Sequence, residues 1–185
     1  MPLMAHELTT SYLKDSIDLL KYYKGMAERA IAQCPDDGLT ASIDKESNSI
    51  AIIVKHITGN MRSRFTDFLT SDGEKPDRNR DSEFEEAPRT RGEILDRWDA
   101  GWKLVFSALE PLSDADLTRT VTIRTEPHSV MQAINRQIAH YSSHIGQIVL
   151  LAKHFAGDNW KSLTVPKRQS AQFNKDVESG RKSQR

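Results

Sequence analysis

The sequence predicts an all-α fold, a four-helix bundle in one domain. Three observations carry this. Apolar residues recur at helical spacing in four stretches, three dense and one weaker. Capping residues open two of these stretches, and proline or glycine follows the ends of three. Strand signal is scarce, limited to an alternation at Val121 and Ile123. The 185 residues suffice for one domain with a sizeable core. The 37% apolar share is below the soluble average because polar connections and a polar tail dilute it.

The first helix is expected over residues 8–32, with Tyr12, Leu13, Ile17, Leu20, Tyr23, Met26 and Ile31 on one stripe. Cys34-Pro35-Asp36-Asp37-Gly38 stops it, since proline removes a donor and glycine turns the chain. The second is expected over 48–69. Its β-branched start, Ile50 to Val54, resembles a strand, but the stripe continues through Met61, Phe65 and Phe68 at helical period. Residues 71–88 form a charged connection with Asp72-Gly73 and Pro76, longer than a turn between antiparallel helices needs. The third helix is expected over 91–109, with Thr90 and Glu93 spaced as a capping box and Pro111 after its end. Leu117 to Arg124 reads as a short extended crossover. The fourth helix is expected over 130–155, with Ser129 as N-cap and Gly157 at its C-terminal cap. The bundle thus takes residues 1–157. Residues 158–185 are a tail in which Trp160, Leu163 and Val165 pack back and everything from Asn174 is frayed. Tyr22, Tyr23, Trp98 and Trp102 serve core or dimer contacts equally well.

Charge and composition narrow the function. With 26 basic and 26 acidic residues the formal net charge is zero, so there is no basic footprint of a nucleic-acid binder. No apolar run approaches the ~18 residues of a membrane span. No secretory signal is evident, and the expected address is the cytoplasm. Cys34 is the single cysteine, so no intramolecular disulfide can form; it is expected to be a semi-buried residue near a helix end.

The histidines are the chemical signal. His140 and His144 lie four residues apart on the fourth helix, which puts both imidazoles on one face about 5–6 Å apart at Cβ. At about 100° per residue, both fall on the border between the apolar stripe and the polar face, with Gln137 and Gln147. His56 takes the matching border position on the second helix, in line with Ser49, Asn60, Ser63 and Asp67. Border positions face the seam with the next helix, so the three rings can meet at one ion, leaving a coordination position open as catalytic sites do. The alternative is three partly exposed histidines hydrogen-bonding carbonyls at a seam. His154 lies 14 residues beyond His140, about 21 Å along the axis, too far to share an ion. His154, His128 and His6 are expected to be solvated surface residues.

Two segments carry a family resemblance: Lys-His-Ile-Thr-Gly-Asn (Lys55 to Asn60), and His-Tyr-Ser-Ser-His-Ile-Gly-Gln-Ile (His140 to Ile148). With the stretch after Asn60 through Pro76, the chain resembles the DinB-like (YfiT-like) superfamily of metal-binding four-helix bundles, in a branch of unknown function. The resemblance spans residues 8–174 and implies long crossovers after the first and third helices, and a homodimer. It implies that His56, His140 and His144 bind one divalent ion, zinc or nickel. It also implies an activity, since characterised relatives include transferases that use bacillithiol, mycothiol or glutathione.

The resulting reading is a metal-dependent enzyme joining a small-molecule thiol to an electrophilic substrate, with neither nucleic acid nor membrane as partner. Asn60 and Gln147 are the candidate substrate-binding residues. Arg78 and Arg80 either hold carboxylates of the thiol or belong to a solvated loop. A metal-dependent hydrolase is the alternative, but Asp67, the one carboxylate on the His56 face, is three turns away. A non-catalytic metal- or ligand-binding bundle is the third reading.

Overall fold

The computed structural model describes residues 8–183. Four long helices make the bundle: α1 (Tyr12–Gln33), α3 (Ile50–Phe65), α4 (Arg91–Leu109) and α5 (Val130–Ala156), with a short α2 (Asp36–Thr40) after the first. Side-chain caps fix their starts. Ser11 accepts from the Lys14 amide and Ser49 from that of Ile52. Thr90 with Glu93, and Ser129 with Gln132, form reciprocal capping boxes. Leu8, expected inside the first helix, precedes the Ser11 cap and is 93% exposed.

Packing follows the apolar stripes. α1 lies mainly along α5, and α3 mainly along α4, with α3 also touching α5 and α1 touching α4. Helices consecutive in the chain, first and second, third and fourth, therefore stand across the bundle from each other. That arrangement requires long crossovers after α1 and α4, as expected. Trp98 and Trp102 are completely buried, ring edge against ring face, so they serve the core. α3 and α4 approach closely at Gly101, where a Cβ would sit 2.9 Å from the Met61 sulfur. No helix of the described residues is long and apolar enough to cross a membrane.

Three segments depart from the sequence reading. The second helix stops at Phe65 and not at residue 69, because Asp67 turns the backbone to φ 48°. Phe68 still packs on Phe65, ring centroids 5.3 Å apart, so the apolar period outlasts the helix. The supposed crossover near Val121 is the first strand of a hairpin, β1 (Thr120–Ile123) against β2 (Glu126–Ser129). Its turn residues Arg124 and Thr125 both take positive φ without being glycine. Asp72 compensates by accepting both their amides at 2.8 and 2.7 Å, which pins the 66–90 connection to the hairpin. In the tail, Trp160 and Leu163 pack on the core, and Val165 is not among the residues packed there. The segment beyond Asn174 is not frayed, however: α6 (Ser170–Glu178) runs through it. Asp176 closes that helix by accepting from Gln172 and Arg181 while pairing with Lys182.

Candidate metal centre

α3 presents His56 and α5 presents His140 and His144 to one point of their common seam. The Nε2 atoms of His56 and His140 stand 3.3 Å apart, and those of His140 and His144 stand 3.1 Å apart. Two nitrogens bound to one ion at about 2.0–2.1 Å are separated by about 2.8–3.4 Å for octahedral to tetrahedral angles. The observed spacing is that of ligands around a shared ion. One ligand atom from each histidine lies within 4.8 Å of those of the other two, and no other histidine, cysteine or carboxylate among the described residues joins the group. The three histidines could thus hold an ion with coordination positions left open.

Proton bookkeeping points the same way. His56 Nδ1–H donates to Glu83 Oε2 at 2.8 Å, and a carboxylate can only accept. The other nitrogen, Nε2, is then a lone pair. His144 Nδ1–H donates to Gln147 Oε1 at 3.0 Å, which leaves its Nε2 a lone pair too. Both lone pairs face His140 Nε2, an arrangement that a cation relieves. Burial, helped by repulsion from the neighbouring histidines and Arg136, pushes the His140 pKa down to about 4. Burial also lowers that of His144, against the raising effect of its bond to Gln147. Depressed pKa values keep both rings in the neutral form that binds metal.

Glu83 is the residue that sequence reasoning missed. It sits in a 3-10 turn (Asp81–Phe84) inside the charged connection and is 6% exposed. Lys55 anchors this turn by donating to the Ser82 and Glu86 carbonyls. Phe84 lays its ring against His56, centroids 4.7 Å apart. Arg78 braces the carboxylate with Nε to Oε1 at 2.8 Å and Nη2 to Oε2 at 3.1 Å. Burial alone would raise the Glu83 carboxyl; hydrogen bonds from His56 and Arg78 outweigh it and hold the group below its usual range. A carboxylate behind a ligating imidazole fixes the ring and raises its basicity. Glu83 reaches His56 only because Gly59 has no side chain: a Cβ there would lie 2.5 Å from Glu83 Oε1.

The remaining expected residues are placed as follows. Asn60 is buried, and its Oδ1 accepts from the Tyr141 hydroxyl at 3.1 Å. Gln147 is exposed, holds His144 through its carbonyl oxygen, and lines a separate cavity with Ile43 and Leu150. Arg78 is no part of a solvated loop: its side chain is 4% exposed and bridges Glu74 and Glu83. Arg80 is exposed, over the Phe84 ring. His154 is exposed, and His128 is half-buried on β2, with Nδ1 3.0 Å from the Glu126 carbonyl oxygen. His6 lies outside the described residues.

Among solved structures, a DinB-like protein from Bacillus cereus ATCC 10987 superposes with a TM-score of 0.61 at 17% identity, over 80% of this chain and 94% of that one. That identity supports a shared fold and nothing finer. No curated protein matches. Residues 7–169 match the model of a protein family of unknown function, DUF1572, which is DinB-like in fold. The fold is a DinB-like bundle with a histidine trio that can hold a metal ion, and the family match spans most of the sequence: the chain belongs to the DUF1572 family.

Proposed function

We propose that the chain is a metal-dependent transferase that moves a low-molecular-weight thiol onto an electrophilic substrate, with His56, His140 and His144 holding a zinc or nickel ion. The observation that carries this is the convergence of three histidines, with His140 Nε2 at 3.3 Å from that of His56 and 3.1 Å from that of His144, and no fourth histidine, cysteine or carboxylate in the group among the described residues. A divalent ion bound there would supply a Lewis-acidic centre that favours the thiolate form of a thiol at neutral pH.

The chain's own residues do the rest. Glu83 and Gln147 fix the rings of His56 and His144 from behind, so the ligands need no reorganisation. Tyr141, whose phenol burial pushes up and keeps protonated, donates to Asn60 and locks that side chain beside the centre. In the overall reaction the thiol gives its proton to solvent, its sulfur bonds to the electrophilic carbon, and the leaving group departs with the electron pair of the broken bond. Cys34 is not that thiol. It is 2% exposed, and burial pushes it up to about 11.

A hydrolase would need an unengaged base near the open positions. Glu83 is committed to His56 and Arg78, and Asp67 is exposed beyond the end of α3 and does not join the histidine group, which favours transfer over hydrolysis.

The test starts with elemental analysis of chain purified without an affinity tag, expecting one transition-metal ion per chain. Bacillithiol, mycothiol and glutathione are then assayed against a model electrophile, with metal and without. Metal-dependent thiol consumption is the expected result. Metal-dependent ester or amide cleavage without thiol would establish the hydrolase, and absence of bound metal the non-catalytic bundle. The homodimer belongs to the same reading, and light scattering should give twice the 21.0 kDa chain mass.

A further inference from the structure

Beside the centre, with His56 and His140 in its wall, lies a cavity of about 210 Å³. Five arginines line it: Arg64 from α3, Arg78 and Arg80 from the 66–90 connection, Arg124 from the hairpin turn and Arg136 from α5. Among the described residues, only two carboxylates pair with any of them. Glu74 takes Arg64, Arg78 and Arg124, and Glu83 takes Arg78. Five cations against two anions leave an excess of three positive charges, before the ion of the proposed centre is counted. Arg80 and Arg136 have no ion pair among the described residues. Both are exposed, Arg80 with its guanidinium over the Phe84 ring.

The floor is built and incompletely satisfied. Arg64 and Gln137 are 5% and 3% exposed, and the Arg64 Nε and Gln137 Oε1 atoms have no hydrogen-bond partner. Burying guanidinium groups is costly unless anions compensate them, and here one partly exposed carboxylate, Glu74, serves three. A concave site lined by one sign of charge concentrates ligands of the opposite sign. Guanidinium forks match carboxylate and phosphate oxygens two at a time.

We propose that this chamber binds the anionic end of the small molecule that reacts at the histidine centre, an end carrying at least two negative charges as carboxylates or a phosphate. Arg64 and Arg78 form its fixed floor, and Arg80 and Arg136 close on the anion. Identifying the anion as part of the reactant rests on the metal reading above; the anion site itself does not.

The experiment titrates the full chain, metal-free and metal-loaded, with glutarate, inorganic phosphate and the neutral glutaramide, followed by calorimetry. Saturable binding of a dianion and none of the diamide is expected, and the preferred anion identifies the source chemistry. The exposed pair R80Q/R136Q should weaken binding about tenfold per arginine, the worth of one charge-assisted pair. The metal content should stay unchanged, and K153Q, on the same helix outside the cavity, should bind as the parent does. Failure of both anions to saturate either form overturns the proposal, as does equal binding by R80Q/R136Q. Arginine-dependent binding by a chain that takes up no metal would support the anion site and sink the reading of the centre instead.

Discussion

Replacing Glu83 by Gln removes the charge of a buried carboxylate that stands behind His56. Glu83 accepts from His56 Nδ1, Arg78 Nε and Arg78 Nη2 at 2.8, 2.8 and 3.1 Å. Breaking a buried ion pair by removing one partner costs about 3–5 kcal/mol. Arg78 retains Glu74 at 3.3 Å, and the glutamine oxygen still accepts one bond, so about 2–3 kcal/mol is the expected loss here. For a chain of this size that is about 5–10 °C in Tm. The orientation of His56 suffers as well: loss of a carboxylate behind a ligating histidine weakens metal binding about 10–100-fold. Competition against a chromophoric zinc chelator reads the affinity, and urea denaturation of the metal-free chain reads the stability. Gly59→Ala is the companion variant, since it changes no charge and only drives a methyl to 2.5 Å from Oε1. It should weaken metal binding in the same direction. Metal affinity within threefold of the parent in both variants, with the fold intact, would refute the claim that Glu83 positions His56.

Three further outcomes are expected. His56→Ala, His140→Ala and His144→Ala should each reduce bound metal to background by elemental analysis, while His154→Ala, on the exposed end of α5, should load fully. Cys34, held up at about 11 by burial, should resist iodoacetamide at pH 8 until the chain is unfolded, and Cys34→Ser should leave any thiol-transfer rate unchanged. Hydrogen bonds from Arg181 and Gln172 hold the Asp176 carboxylate down to about 2. A group depressed on folding stabilises above its unfolded value and ceases to as pH falls through its folded value. The closing turn of α6 should therefore loosen as pH drops from about 4 to about 2. Amide exchange there, against unchanged exchange in α5, checks it; protection that persists below pH 2 would contradict the assignment.

The bundle was legible in the sequence because burial and helical period coincide in it. Trp98, Trp102, Tyr141 and Ile145, read as apolar stripes, are all fully buried. The reading failed where burial and helix part company. Phe68 is buried from a turn, so its period carried the helix too far. The α6 segment is short, with only Phe173 and Val177 as its half-buried apolar pair, and it is closed by Asp176 and Arg181, which no periodicity reveals. The histidine trio was legible because spacing within a helix is fixed by its geometry. Glu83 was not, since Asp81, Glu85 and Glu86 around it are equally acidic and all exposed. One signal did point to it. Gly59 sits inside a helix where glycine costs about 1 kcal/mol relative to alanine, one turn from His56. A glycine there marks something pressed against that face.

These two kinds of residue divide the work. α3 and α5 supply the three imidazoles, held by bundle packing. The aperiodic 66–90 connection supplies Glu83 behind His56, and with the hairpin turn it supplies Arg78, Arg80 and Arg124 to the adjoining cavity. Asp72 ties those two loops together by accepting the Arg124 and Thr125 amides, so the cavity wall and the support of His56 are one connected piece. A change in loop sequence can therefore alter which ligand enters without displacing the histidine ligands, which is how a fold hosts many chemistries. The DinB-like protein from Bacillus cereus, at 17% identity, shares the scaffold, and a shared scaffold does not specify the ligand. On the anion-site proposal, ligand choice turns on the arginines and not on the fold. Moving Asp72 to asparagine, which keeps its size but removes the charge accepting both turn amides, should disturb anion binding and metal affinity together. Loss of one with full retention of the other would show that the two loops act separately.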